Sequence, residues 1–140
     1  MLLLLDTHVL IWMLEGDSRR VGRRTRTLLA RAEARDALRM SPVTLFELVA
    51  LHTLGRIRLT RAPAEWIDEA LAGGGVRLAE LTRAAAIDAG AIPRTALADP
   101  LDRLLVATAR GLNATFVTGD HRILDYAPSA PPLRVHDASR

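Results

Sequence analysis

The sequence contains neither cysteine nor lysine, so all 19 of its Lys and Arg residues are arginine. The absence of cysteine excludes a disulfide scaffold, a thiol nucleophile and any zinc or iron–sulfur site built on thiolates. The absence of lysine excludes the nucleotide-binding P-loop and every mechanism that requires an amine. A bound metal would therefore be held by oxygen or histidine ligands, and the four histidines are too scattered along the chain to indicate zinc.

Aromatic residues and long apolar runs are also scarce. Aromatics make up 4% of the 140 residues, whereas 49% are hydrophobic, which predicts an aliphatic core and one domain spanning residues 1–140. The apolar opening is interrupted by Asp6 and His8 and has no basic segment before it. No run approaches the roughly 18 residues of a membrane span. We therefore expect a cytoplasmic protein that does not contact membranes.

Hydrophobic patterning predicts strands that alternate with helices. Short apolar runs indicate strands over 2–5, 37–40, 76–81, 114–118 and 133–135. Helix-like stretches cover 9–14, 18–39, 43–54, 63–71, 83–91 and 101–110, with a short helical turn near Ile123. This alternation predicts an α/β fold with a mostly parallel central sheet covered by helices on both faces. We expect the last few residues to be loose.

Acidic residues fall where the predicted strands end and the helices begin. Asp6 follows the first strand, Asp120 follows the fourth, Glu47 comes early in its helix, and Asp99 and Asp102 begin another helix. Ligands of open α/β sheets bind at the carboxyl ends of the strands. Several carboxylates at that edge would repel each other unless a cation neutralised them, and oxygen-only ligands favour Mg²⁺ or Mn²⁺.

Each acid also has an explanation in helix capping. Asp6, Asp99 and Asp120 are placed to cap the helices that follow them. Thr44 and Glu47 fit a capping box, with Thr44 as the N-cap and Glu47 three residues later. The two interpretations are compatible, because a residue in the first turn can bond to the backbone and still face a cleft.

Five segments together give the chain a family resemblance. They are residues 5–12 (LDTHVLIW), 41–48 (SPVTLFEL), 54–57 (LGRI), 99–109 (DPLDRLLVATA) and 118–120 (TGD). In their order and spacing the chain resembles the PIN-domain family and, within it, the VapC-type toxins of type II toxin–antitoxin modules. The resemblance implies a three-layer α/β/α domain and a Mg²⁺- or Mn²⁺-dependent endoribonuclease whose acidic cluster holds the metal.

The resemblance also implies roles for individual residues. Asp6 and Glu47 match the first two acids of the family and Asp120 matches the last. For the third acid we favour Asp102 as the metal ligand and Asp99 as an N-cap or an outer partner, although both stay candidates. Family members often carry a histidine shortly before the Asp-Pro pair, whereas residues 96–98 here are Ala-Leu-Ala, which questions the substrate contact that such a histidine would make.

The expected partners also follow from the resemblance. They are an RNA substrate, a small VapB-type antitoxin whose C-terminal segment occupies the cleft, and a second copy of the chain in a homodimer. Two alternatives stay open. One is a metal-dependent DNA nuclease, which the small size and the lack of an arch-like insertion argue against. The other is a PIN-like RNA- or protein-binding module without turnover, in which the acids serve only as caps.

Overall fold

A computed structural model describes residues 1–73, 75–130 and 132–140, without the side chain of Ser18. Its centre is a five-stranded sheet in the order β3-β2-β1-β4-β5, and every pairing is parallel. The strands are β1 (Leu3–Leu5), β2 (Leu38–Met40), β3 (Val76–Leu78), β4 (Thr115–Thr118) and β5 (Arg134–Asp137). The predicted mostly parallel sheet is thus confirmed.

Helices cover both faces of this sheet. They are α1 (Thr7–Leu14), α2 (Arg23–Ala34), α3 (Pro42–Thr53), α4 (Pro63–Gly73), α5 (Arg83–Ala91), α6 (Pro100–Gly111) and α7 (His121–Tyr126). Two short 3-10 turns lie at Ser18–Arg20 and Ala127–Ser129. None of the helices in the described ranges is both long and apolar enough to cross a membrane.

The alternation of strand side chains separates the core into two layers. Leu3 and Leu5 point to one face and pack with buried residues of α1, α2 and α4. Leu4 and Phe116 point to the other face and pack with α6 and α7. Successive residues of a strand point to opposite faces, so a continuous aliphatic run is what a strand buried on both sides requires. These layers place the carboxyl ends of the strands at one edge of the molecule.

The expected single helix over residues 18–39 is wrong. The chain instead makes the 3-10 turn, bends at Gly22 and then begins α2. Gly22 lies against the end of the chain, where an added Cβ would be 1.8 Å from the carbonyl oxygen of Arg140. After α2, Asp36 adopts a positive φ of 58° in the turn that leads into β2. The close approach at Gly22 and the tight turn at Asp36 thus interrupt a segment whose local sequence pattern is helical.

The end of the chain is not loose, contrary to expectation. Ala138 is fully buried, and its N–H donates to the carbonyl of Thr118 at 2.9 Å. The carbonyl of Arg140 accepts hydrogen bonds from the N–H and the hydroxyl of Thr25, at 3.1 and 3.0 Å. The terminal residues therefore fasten the first turn of α2 to the carboxyl ends of β4 and β5.

Most other predicted elements are confirmed, with ends that shift by a few residues. The strand expected over 76–81 ends at Leu78, and the one expected over 133–135 lies at Arg134–Asp137. The helix expected over 9–14 begins at Thr7, because Asp6 caps it. Of the three glycines expected to end α4, Gly74 lies outside the described residues.

Candidate active site

A cavity of about 260 Å³ lies at the carboxyl ends of β1 and β4, and acidic side chains line it. Its lining includes His8, Trp12 and Arg122. The same cavity is lined by all five of the acids singled out in the sequence, Asp6, Glu47, Asp99, Asp102 and Asp120. The topology therefore brings together residues that are far apart along the chain.

Asp6 is buried at the carboxyl end of β1, with 8% of its surface exposed. Its Oδ1 accepts from the N–H of Thr7 at 2.8 Å, and its Oδ2 accepts from the hydroxyl of Thr118 at 2.6 Å. Burial raises the pKa of Asp6 above its ordinary value, and nearby Glu47 raises it further, whereas the two hydrogen bonds oppose the shift. Asp6 is thus both the N-cap of α1 and a carboxylate that is costly to ionise.

Asp102 lies in the first turn of α6 and is also buried, with 7% exposed. Its Oδ2 has no hydrogen-bond partner. Burial, followed by the negative charges of Asp99, Asp6 and Asp120, raises the pKa of Asp102 to about 7. A buried carboxylate oxygen without a partner normally requires an explanation such as a bound ion.

Asp99 and Glu47 surround this buried pair. Asp99 is the N-cap of α6, and its side chain accepts from the N–H of Leu101 at 2.8 Å, as predicted for the Asp-Pro pair. Glu47 is half-buried one turn into α3. The capping box predicted for Glu47 and Thr44 is wrong, because α3 begins at Pro42 and Ser41 is its N-cap. Ser41 followed by proline supplies a cap and a preset first turn, so α3 begins earlier than Thr44.

Asp120 is the N-cap of α7 and is held by Arg122. Its Oδ1 accepts from the Arg122 N–H at 2.9 Å, and the Arg122 guanidinium donates to both carboxylate oxygens at 3.2 and 3.1 Å. Burial is the largest single effect on Asp120 and raises its pKa, but the hydrogen bonds and charge of Arg122 outweigh it and leave the pKa lowered. Arg122 itself is exposed and faces the cavity.

Three functional candidates were missed in the sequence. Thr118 bridges two acids, Arg122 pairs with one of them, and Trp12 forms part of the cavity wall. Arg122 had a local signal, because it stands two residues after an acid at a predicted strand end. Thr118 lies in a segment that carries the family resemblance, but nothing local indicated its bond to Asp6, since the two residues are 112 positions apart.

The acids meet several requirements of a cation site without forming a finished one. Within residues 1–73, 75–130 and 132–140, no three Asp, Glu or His side chains are grouped so as to hold a metal ion. Hydrogen bonds occupy Asp6 and Asp99, and Arg122 occupies Asp120. The unpartnered oxygen of Asp102 and the all-oxygen donor set nevertheless fit a hard divalent cation such as Mg²⁺ or Mn²⁺.

Comparison with known sequences establishes the family. The pattern of the PIN domain matches residues 3–128, which is most of the chain and includes all five acids. The chain belongs to the PIN-domain family. The family resemblance drawn from the sequence motifs is thereby confirmed, together with the α/β layers that it implied.

Named relatives of this PIN-domain chain agree with the assignment. The chain is 30% identical over 128 residues to Ribonuclease VapC22 of Mycobacterium tuberculosis, covering 91% of this chain and 94% of that protein. Its fold is similar to a chain in the VapBC2 structure from Rickettsia felis bound to a promoter DNA fragment, with a TM-score of 0.70, 17% identity and 98% of both chains covered. DNA-bound VapBC from Salmonella typhimurium gives a TM-score of 0.65 at 22% identity, again over 98% of both chains.

Proposed function

We propose that this PIN-domain protein is a Mg²⁺- or Mn²⁺-dependent endoribonuclease and the toxin of a toxin–antitoxin module. The observation that carries the proposal is the buried carboxylate of Asp102, whose Oδ2 has no partner and which shares a cavity with four more acids. A capping role accounts for Asp6, Asp99 and Asp120, but it does not account for Asp102, because its orphaned oxygen bonds to no backbone group. The similarity to Ribonuclease VapC22 supports the same reaction class.

In this proposal Asp6 and Asp102 hold the cation directly. Asp99 serves as the cap of α6, which agrees with its 2.8 Å bond from Leu101, and it remains an outer partner. Asp120 contributes a further ligand or an outer contact. When bound, such a cation lowers the pKa of a water molecule and stabilises charge that develops on a phosphate.

Glu47 is the residue that we assign to proton transfer. Its carboxylate lines the cavity, is half-buried, and makes no hydrogen bond or ion pair with the rest of the described chain. A carboxylate oxygen of Glu47 can therefore accept a proton from water without first breaking another contact. Arg122, whose guanidinium faces the acids, is placed to hold a phosphate of the RNA backbone.

An antitoxin and a second copy of the chain complete the proposal. Several structural neighbours are VapBC assemblies, which supports a VapB-type antitoxin as the partner that covers the cleft. The outer face of α3 exposes Phe46 by 64% and Val49 by 41%, and Leu54 after it by 69%. Such an apolar strip supports a homodimer, in which it would be covered. Light scattering of the wild type and of Phe46→Glu tests whether the chain is a dimer and whether this apolar strip holds the dimer together.

The decisive experiment is cleavage of total cellular RNA by the purified chain without antitoxin. Reactions contain Mg²⁺, Mn²⁺ or EDTA, with Asp6→Asn and Asp102→Asn in parallel and circular dichroism to show that each variant folds. Discrete fragments that disappear with EDTA and in both variants are the expected result. Intact RNA after incubation with folded, metal-supplied protein contradicts the proposal, and matched single-stranded RNA and DNA oligonucleotides separate ribonuclease from deoxyribonuclease activity.

A further inference from the structure

Trp12 stands at the border between the acidic cavity and a second cavity of about 200 Å³ beside it, and it lines both. The indole is only partly buried. It faces Gly119, where an added Cβ would be 3.6 Å from the ring. The ring of His8, one turn earlier on α1, is 6.1 Å from that of Trp12 and inclined to it by 45°. Two neighbouring rings therefore form part of the wall of the acidic cavity.

A guanidinium group lies over the ring of Trp12. The Cζ of Arg20 is 5.9 Å from the centre of the Trp12 ring. Arg20 also pairs with Asp17 at 3.4 Å, yet 64% of its side chain is exposed. An aromatic ring next to an exposed guanidinium is the combination with which proteins stack bases and hold the backbone of single strands.

More arginines lie just beyond Arg20. Arg19, Arg23 and Arg24 are exposed, and none of them makes a side-chain hydrogen bond or ion pair within the described residues. Arg19 lies in the 3-10 turn, and Arg23 and Arg24 begin α2, which the bond from Thr25 to the carbonyl of Arg140 ties to the carboxyl end of the sheet. These arginines therefore lie at the same edge as the acids.

The negative charge of the cavity explains why arginines beside it are needed to bind RNA. Five acids surround the candidate catalytic cavity, and in the absence of a cation they repel a phosphate backbone. Affinity for a polyanion must then come from cations beside the cavity. Among the contacts described, the rings of His8 and Trp12 lie between the acids and the exposed guanidinium of Arg20.

We propose that a single-stranded segment of RNA leaves the acidic cavity over His8 and Trp12, stacks a base at Trp12, and is held by Arg20 and by the exposed arginines Arg19, Arg23 and Arg24. We call this surface the tryptophan track. The proposal rests on the proposed ribonuclease function and adds a base-stacking and backbone-binding surface beside the acidic cavity. Stacking requires a free base face, which only an unpaired nucleotide offers at a surface ring.

Binding without cleavage tests the track. A fluorescein-labelled single-stranded octaribonucleotide is titrated with metal-free protein in EDTA, and anisotropy is measured at several salt concentrations. The variants are Trp12→Leu, Trp12→Phe and Arg20→Gln. The control is Arg31→Gln, since Arg31 is an exposed arginine of α2 that lies about two turns beyond the start of that helix.

The expected results follow from stacking and charge. Trp12→Leu keeps apolar packing but loses the large ring, so affinity falls roughly 5- to 100-fold, whereas Trp12→Phe loses much less. Arg20→Gln lowers the slope of log affinity against log salt by about 0.7, and Arg31→Gln leaves it unchanged. A duplex of the same length binds more weakly than the single strand. If thermal melting shows that Trp12→Leu is unstable, the salt slopes of Arg20→Gln and Arg31→Gln test the track instead.

Other outcomes overturn the track. If Trp12→Leu and Arg20→Gln both bind RNA with wild-type affinity, the tryptophan track is contradicted. The ribonuclease proposal still stands in that case if Asp102→Asn abolishes cleavage. If the Trp12 and Arg20 variants lose RNA binding as expected but the wild type shows no metal-dependent cleavage, the tryptophan track is supported and the ribonuclease proposal is contradicted. A labelled octaglutamate that binds as tightly as RNA, with no loss in Trp12→Leu, shows instead a surface for acidic peptides.

Discussion

The hydroxyl of Thr118 donates a 2.6 Å hydrogen bond to Oδ2 of Asp6, so the last residue of β4 holds the carboxylate that follows β1. The same hydroxyl oxygen accepts from the N–H of Asp120 at 3.0 Å. Thr118 is fully buried. One side chain thus fixes the positions of two of the candidate ligands and partly offsets the cost of burying the charge on Asp6.

Replacing Thr118 by valine removes both hydrogen bonds at nearly constant volume. We expect the free energy of unfolding to fall by about 1–3 kcal/mol, because Asp6 loses a buried partner. The pKa of Asp6 rises further, since the bond from Thr118 opposes the effect of burial. Binding of Mn²⁺ at neutral pH therefore weakens. Urea unfolding and Mn²⁺ titration measure the two effects. Thr118→Ser keeps the hydroxyl and serves as the control, and equal losses in both variants would show that the methyl group, not the bond, matters.

Asp102→Asn is expected to stabilise the metal-free protein at pH 7.5. The wild-type carboxylate is buried with an unpartnered oxygen, and a neutral amide removes the charge at that position. The same change abolishes the rise in melting temperature that Mg²⁺ or Mn²⁺ gives the wild type. Thermal melting with and without the cation measures both. Asp68→Asn, at an exposed position of α4, is the control for a lost charge. A variant that melts lower than the wild type, or that keeps the full metal effect, argues against Asp102 as a ligand.

The sequence predicts local features of the site well and long-range ones poorly. Asp6 and Asp99 were predicted as helix caps, and both are, because a cap depends on residues one to three positions away. The capping box at Thr44 was wrong, since the Ser-Pro pair before it competes for the same helix start. The bond between Thr118 and Asp6 depends on the pairing of β1 with β4, for which the sequence carries no local signal.

The same distinction applies to the fold. The aliphatic runs and turn residues predict the strands and their alternation with helices, because each run is a local pattern. The packing of Gly22 against the carbonyl of Arg140 could not be predicted, since the two residues are far apart along the chain. The sequence also could not assign different roles to Asp99 and Asp102. That distinction depends on the burial of Asp102, which the packing of α6 against the sheet determines.

Stability should depend on pH through Asp102. Its pKa is about 7 in the folded protein and 3.8 is the ordinary value, so the folded state binds more protons between these limits. The free energy of unfolding contributed by Asp102 is therefore largest below about pH 4 and is lost as pH rises through 7. Subtracting the profile of Asp102→Asn from that of the wild type isolates this contribution. Because a cation competes with the proton, Mg²⁺ should stabilise the protein more at pH 8 than at pH 5.5. A flat difference profile contradicts the assignment.

Arg122→Gln should increase the affinity for a divalent cation several-fold. Arg122 binds both oxygens of Asp120, and its positive charge opposes a cation in the same cavity. Removing it frees Asp120 and allows its pKa to return toward the ordinary value. Isothermal titration with Mn²⁺ measures the change. Arg83→Gln, at an exposed position at the start of α5, controls for the loss of one charge. Unchanged or weaker Mn²⁺ binding in Arg122→Gln would show that Asp120 is not used by the cation.

Gly22→Ala should destabilise the fold because its Cβ would overlap the backbone of Arg140 at 1.8 Å. The end of the chain must then move away from the start of α2, which breaks the bonds between Arg140 and Thr25. We expect a loss of about 1–3 kcal/mol, typical of overpacking. Gly90→Ala is the matched control, because nothing lies within 4 Å of a Cβ there and alanine favours the helix α5 by up to about 1 kcal/mol. Chemical unfolding of the two variants therefore gives shifts of opposite sign if the chain end is packed as described, and a Gly22→Ala variant as stable as the wild type contradicts that packing.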